Sequence, residues 1–254
     1  MKRLFFDLLT AVQFLTRIPL PAIPWDEGSL ARSVKFFPVV GALIGALAAA
    51  LHALLAPHLP RLLAALLVLT FLILLTGAFH EDGLADCADA FGCTHSPDRI
   101  LAIMRDSRIG TYGGAALVLS LLARLLLLAS LPLPAVAPYL ISAHILCRWT
   151  TLPLSHFLPA ARPAAEGPAA GGQAVRIASL TSTTTLVFVT LFTFAAVVFL
   201  LRTRAIAPIL SAILLAFLSA IYYKRRLAGA TGDCFGATNQ LAEIGVLLCG
   251  VWTP

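Results

Sequence analysis

Long apolar runs, each closed by proline, glycine or a short charged stretch, set the pattern of the chain. Leu62 to Phe79 is uncharged and almost wholly aliphatic. Phe36 to Ala56 has one polar side chain, His52, and Ser179 to Leu201 carries no charge. A run of about 18 to 20 such residues crosses a ~30 Å hydrocarbon core as a helix. The pattern predicts spans over 36–56, 62–79, 111–131, 138–157, 179–201 and 207–223. A last segment, 238–252, is apolar but short, and reads as half-buried or re-entrant. Breaks fall at Pro57 and Pro60, at Pro132 and Pro134, and in the Ala/Pro/Gly stretch from Pro159 to Gly172. The expectation is an all-α, polytopic transmembrane bundle of about seven helices, one domain over residues 1–254, without internal repeats. Lys2 to Leu20 is interrupted by Asp7, Gln13 and Arg17. It reads as an interfacial amphipathic helix rather than a cleaved signal peptide.

Composition agrees with a bilayer as solvent. The chain of 254 residues is 59% hydrophobic and 12% charged, against about 25% charged for a soluble domain. Its net charge of +6 fits basic loops at one membrane face and gives no reason to expect nucleic acid. Lys2, Arg3, Arg17, Arg32 and Lys35 precede the first strong span. Arg99, Arg105 and Arg108 lie in 80–110, Arg162 and Arg176 in 158–178, and Lys224, Arg225 and Arg226 after 207–223. An inside N-terminus puts all four groups in the cytoplasm, with Arg61, Arg202 and Arg204 against the trend. The five cysteines form no CxxC pair, so disulfides are not expected. Cys93 and His95 alone are too few for zinc.

Charge is concentrated where chemistry is expected. Eight of the twelve acids are Glu81, Asp82, Asp86, Asp89, Asp98, Asp106, Asp233 and Glu243. On a helix Asp82, Asp86 and Asp89 fall at i, i+4 and i+7, on one face. Three such carboxylates repel unless a cation sits among them, and hard oxygen donors select Mg²⁺ or Mn²⁺ over zinc. Gly83 would let a substrate approach the backbone. Arg105 and Arg108 can grip a phosphate, and the glycines after them offer free N–H groups at a helix start. Asp233 lies in a glycine-rich turn. Asn239 and Glu243 follow at i, i+4 and call for partners inside a membrane. Of two arginines within spans, Arg124 is expected to snorkel outward and Arg148 to face a polar cavity or a bound anion.

These residues resemble a known family, adenosylcobinamide-GDP ribazoletransferase, also called cobalamin-5'-phosphate synthase. The resemblance rests on Gly77-Ala78-Phe79-His80-Glu81-Asp82-Gly83-Leu84-Ala85-Asp86-Cys87-Ala88-Asp89, on Met104-Arg105-Asp106-Ser107-Arg108-Ile109-Gly110-Thr111, and on Thr231-Gly232-Asp233-Cys234-Phe235-Gly236-Ala237. Phe14 to Pro21 and Phe37 to Gly41 fit it as well. It implies a Mg²⁺-dependent, multi-pass enzyme of the cytoplasmic (inner) membrane, with its active site facing the cytoplasm. Its partners would be adenosylcobinamide-GDP, α-ribazole or its 5'-phosphate, and the lipid bilayer. A homo-oligomer is compatible with it. The ribazole hydroxyl would attack the pyrophosphate and release GMP. By analogy with membrane alcohol phosphotransferases, Asp82, Asp86 and Asp233 would hold the metal and Asp89 would be the general base. Arg105, Arg108, Arg148 and Asn239 would bind substrate. The chain departs from the family pattern at Cys87 and Cys234, often threonine, at Ala90, often glycine, and at Gln240, commonly glutamate.

Two other classes are weighed against this. A CDP-alcohol phosphotransferase making a lipid needs an Ala-Arg pair after its first Asp-Gly, and here Ala85 is followed by Asp86. A cation transporter should carry ionisable residues near the midplane and inverted repeats, whereas these acids are expected at one face.

Overall fold

The computed structural model describes residues 2–21, 28–161 and 181–252. Arg162 and Arg176 lie outside them. All named elements are helical: α1 (Lys2–Leu15), α2 (Ser29–Ser33), α3 (Phe37–Leu55), α4 (Arg61–Thr76), α5 (Phe79–Cys93), α6 (Pro97–Ile103), α7 (Thr111–Ser130), α8 (Leu133–Trp149), α9 (Thr151–Phe157), α10 (Thr183–Leu201), α11 (Ile206–Leu227) and α12 (Gly232–Trp252). Four stretches are long and apolar enough to cross a membrane: Ser29–Leu55, Thr111–Ser130, Thr183–Leu227 and Gly232–Trp252. The α4–α5 pair, bent by 88°, makes a fifth if it is one broken span. The expected number was about seven. One of the four stretches, Thr183–Leu227, holds both α10 and α11, joined by the 3₁₀ turn Arg202–Ala205. The predicted 138–157 span divides into α8 and α9, neither of which reaches the length of a span.

The bundle is built inside out relative to a soluble one. On α7, Val118, Leu119, Leu122 and Leu126 face outward, while Gly113, Ser120, Arg124 and Leu128 face inward. Polar groups gain nothing from lipid, so they turn to each other. Close packing uses small residues. A Cβ on Gly41 would lie 2.1 Å from the His144 carbonyl oxygen, and one on Gly45 would lie 2.6 Å from Ile141 Cα. Glycine therefore lets α3 and α8 meet backbone to backbone.

Helix α12 occupies the centre, against α5, α7, α8 and α11. The sequence suggested a short final segment from residue 238, but the helix starts at Gly232 and runs 21 residues. Thr238, Asn239, Gln240 and Glu243 interrupt its hydropathy and are all buried against neighbouring helices rather than lipid.

Helix α1 is a folded part of the bundle. Asp7, an apparent interruption of an apolar stretch, is buried and pairs with Arg32 at 3.2 Å and Lys35 at 2.9 Å. After α1 the chain runs to the α4–α5 corner, where the Arg17 amide donates to the Leu75 carbonyl. Phe14 stacks on Phe37 and meets Phe79 edge-on. At the corner Gly77 and Ala78 both take left-handed backbone, with φ of 69° and 58°. This ends α4 at Thr76, short of the predicted residue 79.

Segments flanking the basic clusters meet at one end of the bundle. Arg226 donates to the carbonyls of Phe91 and Thr94. The Ala161 amide donates to Ala230 and the Ala230 amide to Pro159, each at 2.9 Å. The C-terminal end of α1, with Phe37, lies against Gly232 and Phe235. Arg61 opens α4, which ends at the Gly77–Ala78 corner, and Arg202 follows the last residue of α10.

Candidate active site

Three elements meet at the basic end: the acid helix α5, the start of α7 and the start of α12. Contact between α5 and α12 is set by Gly83. A Cβ there would lie 2.9 Å from the Asp233 carbonyl oxygen and 3.3 Å from Gly236 Cα. The space that the sequence offered to a substrate is filled by α12 itself. This approach brings Asp233 to the acid stripe. Asp86 feels the negative charges of Asp82, Asp233 and Asp89 together. Along the stripe Asp82 is exposed, Asp86 half-buried and Asp89 buried.

Asp89 differs from the others. Its Oδ2 accepts from the Gly110 amide at 2.6 Å and its Oδ1 from the Gly113 amide at 2.8 Å. A Cβ on Gly113 would come 2.2 Å from Asp89 Oδ2, so glycine is required for this contact. The carboxylate caps the N-terminus of α7, where unpaired amides and the helix dipole both favour an anion. Both oxygens of the residue expected to be the general base are therefore engaged by the backbone.

Arg105 and Arg108 flank this turn and are exposed. The Arg108 guanidinium pairs with Asp106 at 2.6 Å. Hydrogen bonds from the Arg108 side chain and amide hold the Asp106 carboxyl down to about 2. Thr231 Oγ1 donates to Asp233 Oδ2 at 3.2 Å and accepts from the Cys234 amide at 3.3 Å, fixing the first turn of α12.

Two candidate substrate residues lie in the interior. Arg148 is 2% exposed. Its Nη1 lies 2.9 Å from His144 Nδ1 and 3.0 Å from Cys147 Sγ, and its Nε has no partner. Asn239 is buried with Oδ1 unpartnered, lining a small cavity with His80, Phe79 and Gly236. Arg148 thus faces a polar interior, one of the two surroundings expected for it.

Arg124 overturns its expectation. It does not snorkel outward. It is 3% exposed and its Nη1 reaches Glu81 Oε1 at 2.6 Å and Gln240 Oε1 at 3.0 Å, while its Nε reaches Glu243 Oε1 at 2.9 Å. The signal was present in the sequence: Gly113, Ser120 and Arg124 share one stripe of small and polar residues on α7. Among the described residues, the metal-ligand atoms drawn within 4.8 Å of one another belong to His144, Cys147 and Glu243. The guanidinium of Arg148 already sits on His144 and Cys147, so a cation is disfavoured there. The carboxylates of Asp82 and Asp233 both act on Asp86. Their all-oxygen chemistry and partial exposure suit a hard divalent ion.

Comparison with known proteins covers nearly the whole chain. The sequence model of the family described as cobalamin-5-phosphate synthase matches residues 7–251. The chain belongs to that family. Among curated relatives, adenosylcobinamide-GDP ribazoletransferase of Ralstonia pickettii (strain 12J) is 36% identical, over 94% of this chain and 93% of its own. Proteins of the same name from Albidiferax ferrireducens and Vibrio cholerae are 36% and 35% identical over 94% of this chain, covering 95% and 91% of theirs. No solved structure matches. In cobalamin-5-phosphate synthase terms, the match includes α5, the Gly110–Gly113 turn and the start of α12, the three pieces that the fold joins.

Proposed function

We propose that the chain is an adenosylcobinamide-GDP ribazoletransferase of the cytoplasmic membrane, with its active site at the basic, cytoplasmic end. A hydroxyl of α-ribazole, or of its 5'-phosphate, attacks the pyrophosphate phosphorus on the cobinamide side. The bridging P–O bond breaks, GMP leaves, and a phosphodiester joins cobinamide to the nucleotide. The observation that carries this reading is the close approach of α5 and α12 at Gly83, which brings Asp233 to the side of α5 that carries Asp82 and Asp86.

In this reading Asp82, Asp86 and Asp233 hold Mg²⁺. Bound there, Mg²⁺ supplies positive charge to the pyrophosphate and to the departing phosphate. Arg105 and Arg108 meet the phosphates from the exposed side, with Arg108 exchanging Asp106 for substrate. Asp89 holds the Gly110–Gly113 turn through two backbone hydrogen bonds, and the lone pairs left on its oxygens can still take the proton of the attacking hydroxyl. Asn239 and Arg148 support the site from the interior.

The test is GMP release by membranes carrying the chain, supplied with adenosylcobinamide-GDP and either acceptor, with Mg²⁺ or with a chelator. Release that needs both acceptor and metal supports the proposal. No release with either acceptor, together with CMP release from a CDP-alcohol, would sink it and restore the lipid-synthase alternative.

A further inference from the structure

Of the four carboxylates on the acid helix, Glu81 is the one that the proposed chemistry does not use. Glu81 is next to Asp82 in the chain, about 100° away around the helix. It is 5% exposed, whereas Asp82 is exposed. Its partner, Arg124, lies on α7 roughly 20 Å along the axis from Thr111. The same guanidinium binds Gln240 and Glu243 of α12. One side chain thus joins the three elements that supply the acid stripe, the glycine turn and Asp233.

Charge in this knot is close to balanced. Arg124 pairs with Glu81 and Glu243, His144 Nδ1 lies 3.8 Å from Glu243 Oε2, and Arg148 lies against the same imidazole. His80, on the same helix as Glu81, feels Arg148, Glu81, Arg124 and His144. A buried ion pair adds little net stability compared with apolar packing, but its geometry is exacting, since each partner is costly to leave alone. Such a knot suits setting the rotation of a helix. Turning α5 by one residue, about 100°, would bring Asp82 into the direction of Glu81 and so bury an acid of the stripe.

We propose that Arg124 is a positioning residue: by gripping Glu81 and Glu243 it fixes the rotation of α5 against α12, which holds Asp82 and Asp86 toward Asp233. The role rests on the function proposed above and predicts loss of cation affinity and turnover with substrate affinity spared.

Arg124→Lys keeps the charge but cannot fork between two carboxylates. Glu81→Gln keeps the shape and an acceptor. Purified full-length protein in detergent would be titrated with Mn²⁺ by electron paramagnetic resonance, alongside kcat and KM for GMP release. The expected result is roughly tenfold weaker Mn²⁺ binding, kcat down about 10- to 100-fold, and KM for adenosylcobinamide-GDP within about twofold, in folded, monodisperse protein. Wild-type Mn²⁺ affinity and kcat in either folded variant overturns the proposal. So does loss of folded protein in both, which would make the knot merely structural. If wild type itself neither binds Mn²⁺ nor releases GMP, the proposed function fails instead. Rotation is then read from the thiols of Cys87 on α5 and Cys234 on α12, both buried on helices that pack together. Diamide should couple them in wild type and several-fold more slowly in Arg124→Lys, and equal rates overturn the proposal.

Discussion

Glu81 and Asp82 are neighbours in the chain with opposite surroundings. Glu81 is sealed in the interior, 2.6 Å from a guanidinium. Asp82 opens outward beside Asp86, which also feels Asp233 and Asp89. Around Glu81, charges of both signs close on each other and hold helices in place. Around Asp82, acids from two helices lie close enough that Asp86 feels the charges of Asp82, Asp233 and Asp89. The same residue types are thus buried against opposite charge on one side of α5 and grouped with like charge on the other.

The strongest way to break this contrast is Asp86→Asn. It should lower kcat for GMP release by about 10³-fold, while the thermal midpoint in detergent stays or rises, because a repulsion is removed. A loss of less than tenfold would take the stripe out of the chemistry. Glu243→Ala attacks the paired side. It strips one partner from buried Arg124 and should cost about 3–5 kcal/mol, read as a lowered unfolding midpoint; an unchanged midpoint would mean that water replaces the carboxylate. Gly83→Ala sharpens the comparison by pushing the two regions apart. Its new Cβ would meet the Asp233 carbonyl, so a cost of about 1–3 kcal/mol should accompany reduced turnover. Arg108→Ala should do least. The side chain is exposed, so stability should hold while KM for the pyrophosphate substrate rises roughly three- to tenfold.

Much of this was legible in the sequence, and the failures share a cause. Leu62 to Thr76 and Thr183 to Leu201 announce themselves because lipid asks only that a helix be apolar. The nearness of Asp233 to residues 82–89 followed from counting spans and placing arginines. Arg124 and the start of α12 were misread because hydropathy counts polarity without direction. An arginine that turns inward and one that reaches the surface score alike, and Thr238, Asn239, Gln240 and Glu243 made a full-length central helix look short. The two amides on Asp89 were not legible at all, since nothing local to residue 89 reveals a helix start more than twenty residues on.

The corner at Gly77 and Ala78 carries one more consequence. Ala78 has a Cβ yet sits at φ 58°, a posture that costs an L-residue about 1–2 kcal/mol. Arg17 lies so near Gly77 that a methyl group there would come 2.2 Å from its Nε. The leading segment is therefore packed into the bend itself. Trimming the first twenty residues would spare Asp82, Asp86, Asp89 and Asp233 yet take away the guanidinium that lies against Gly77.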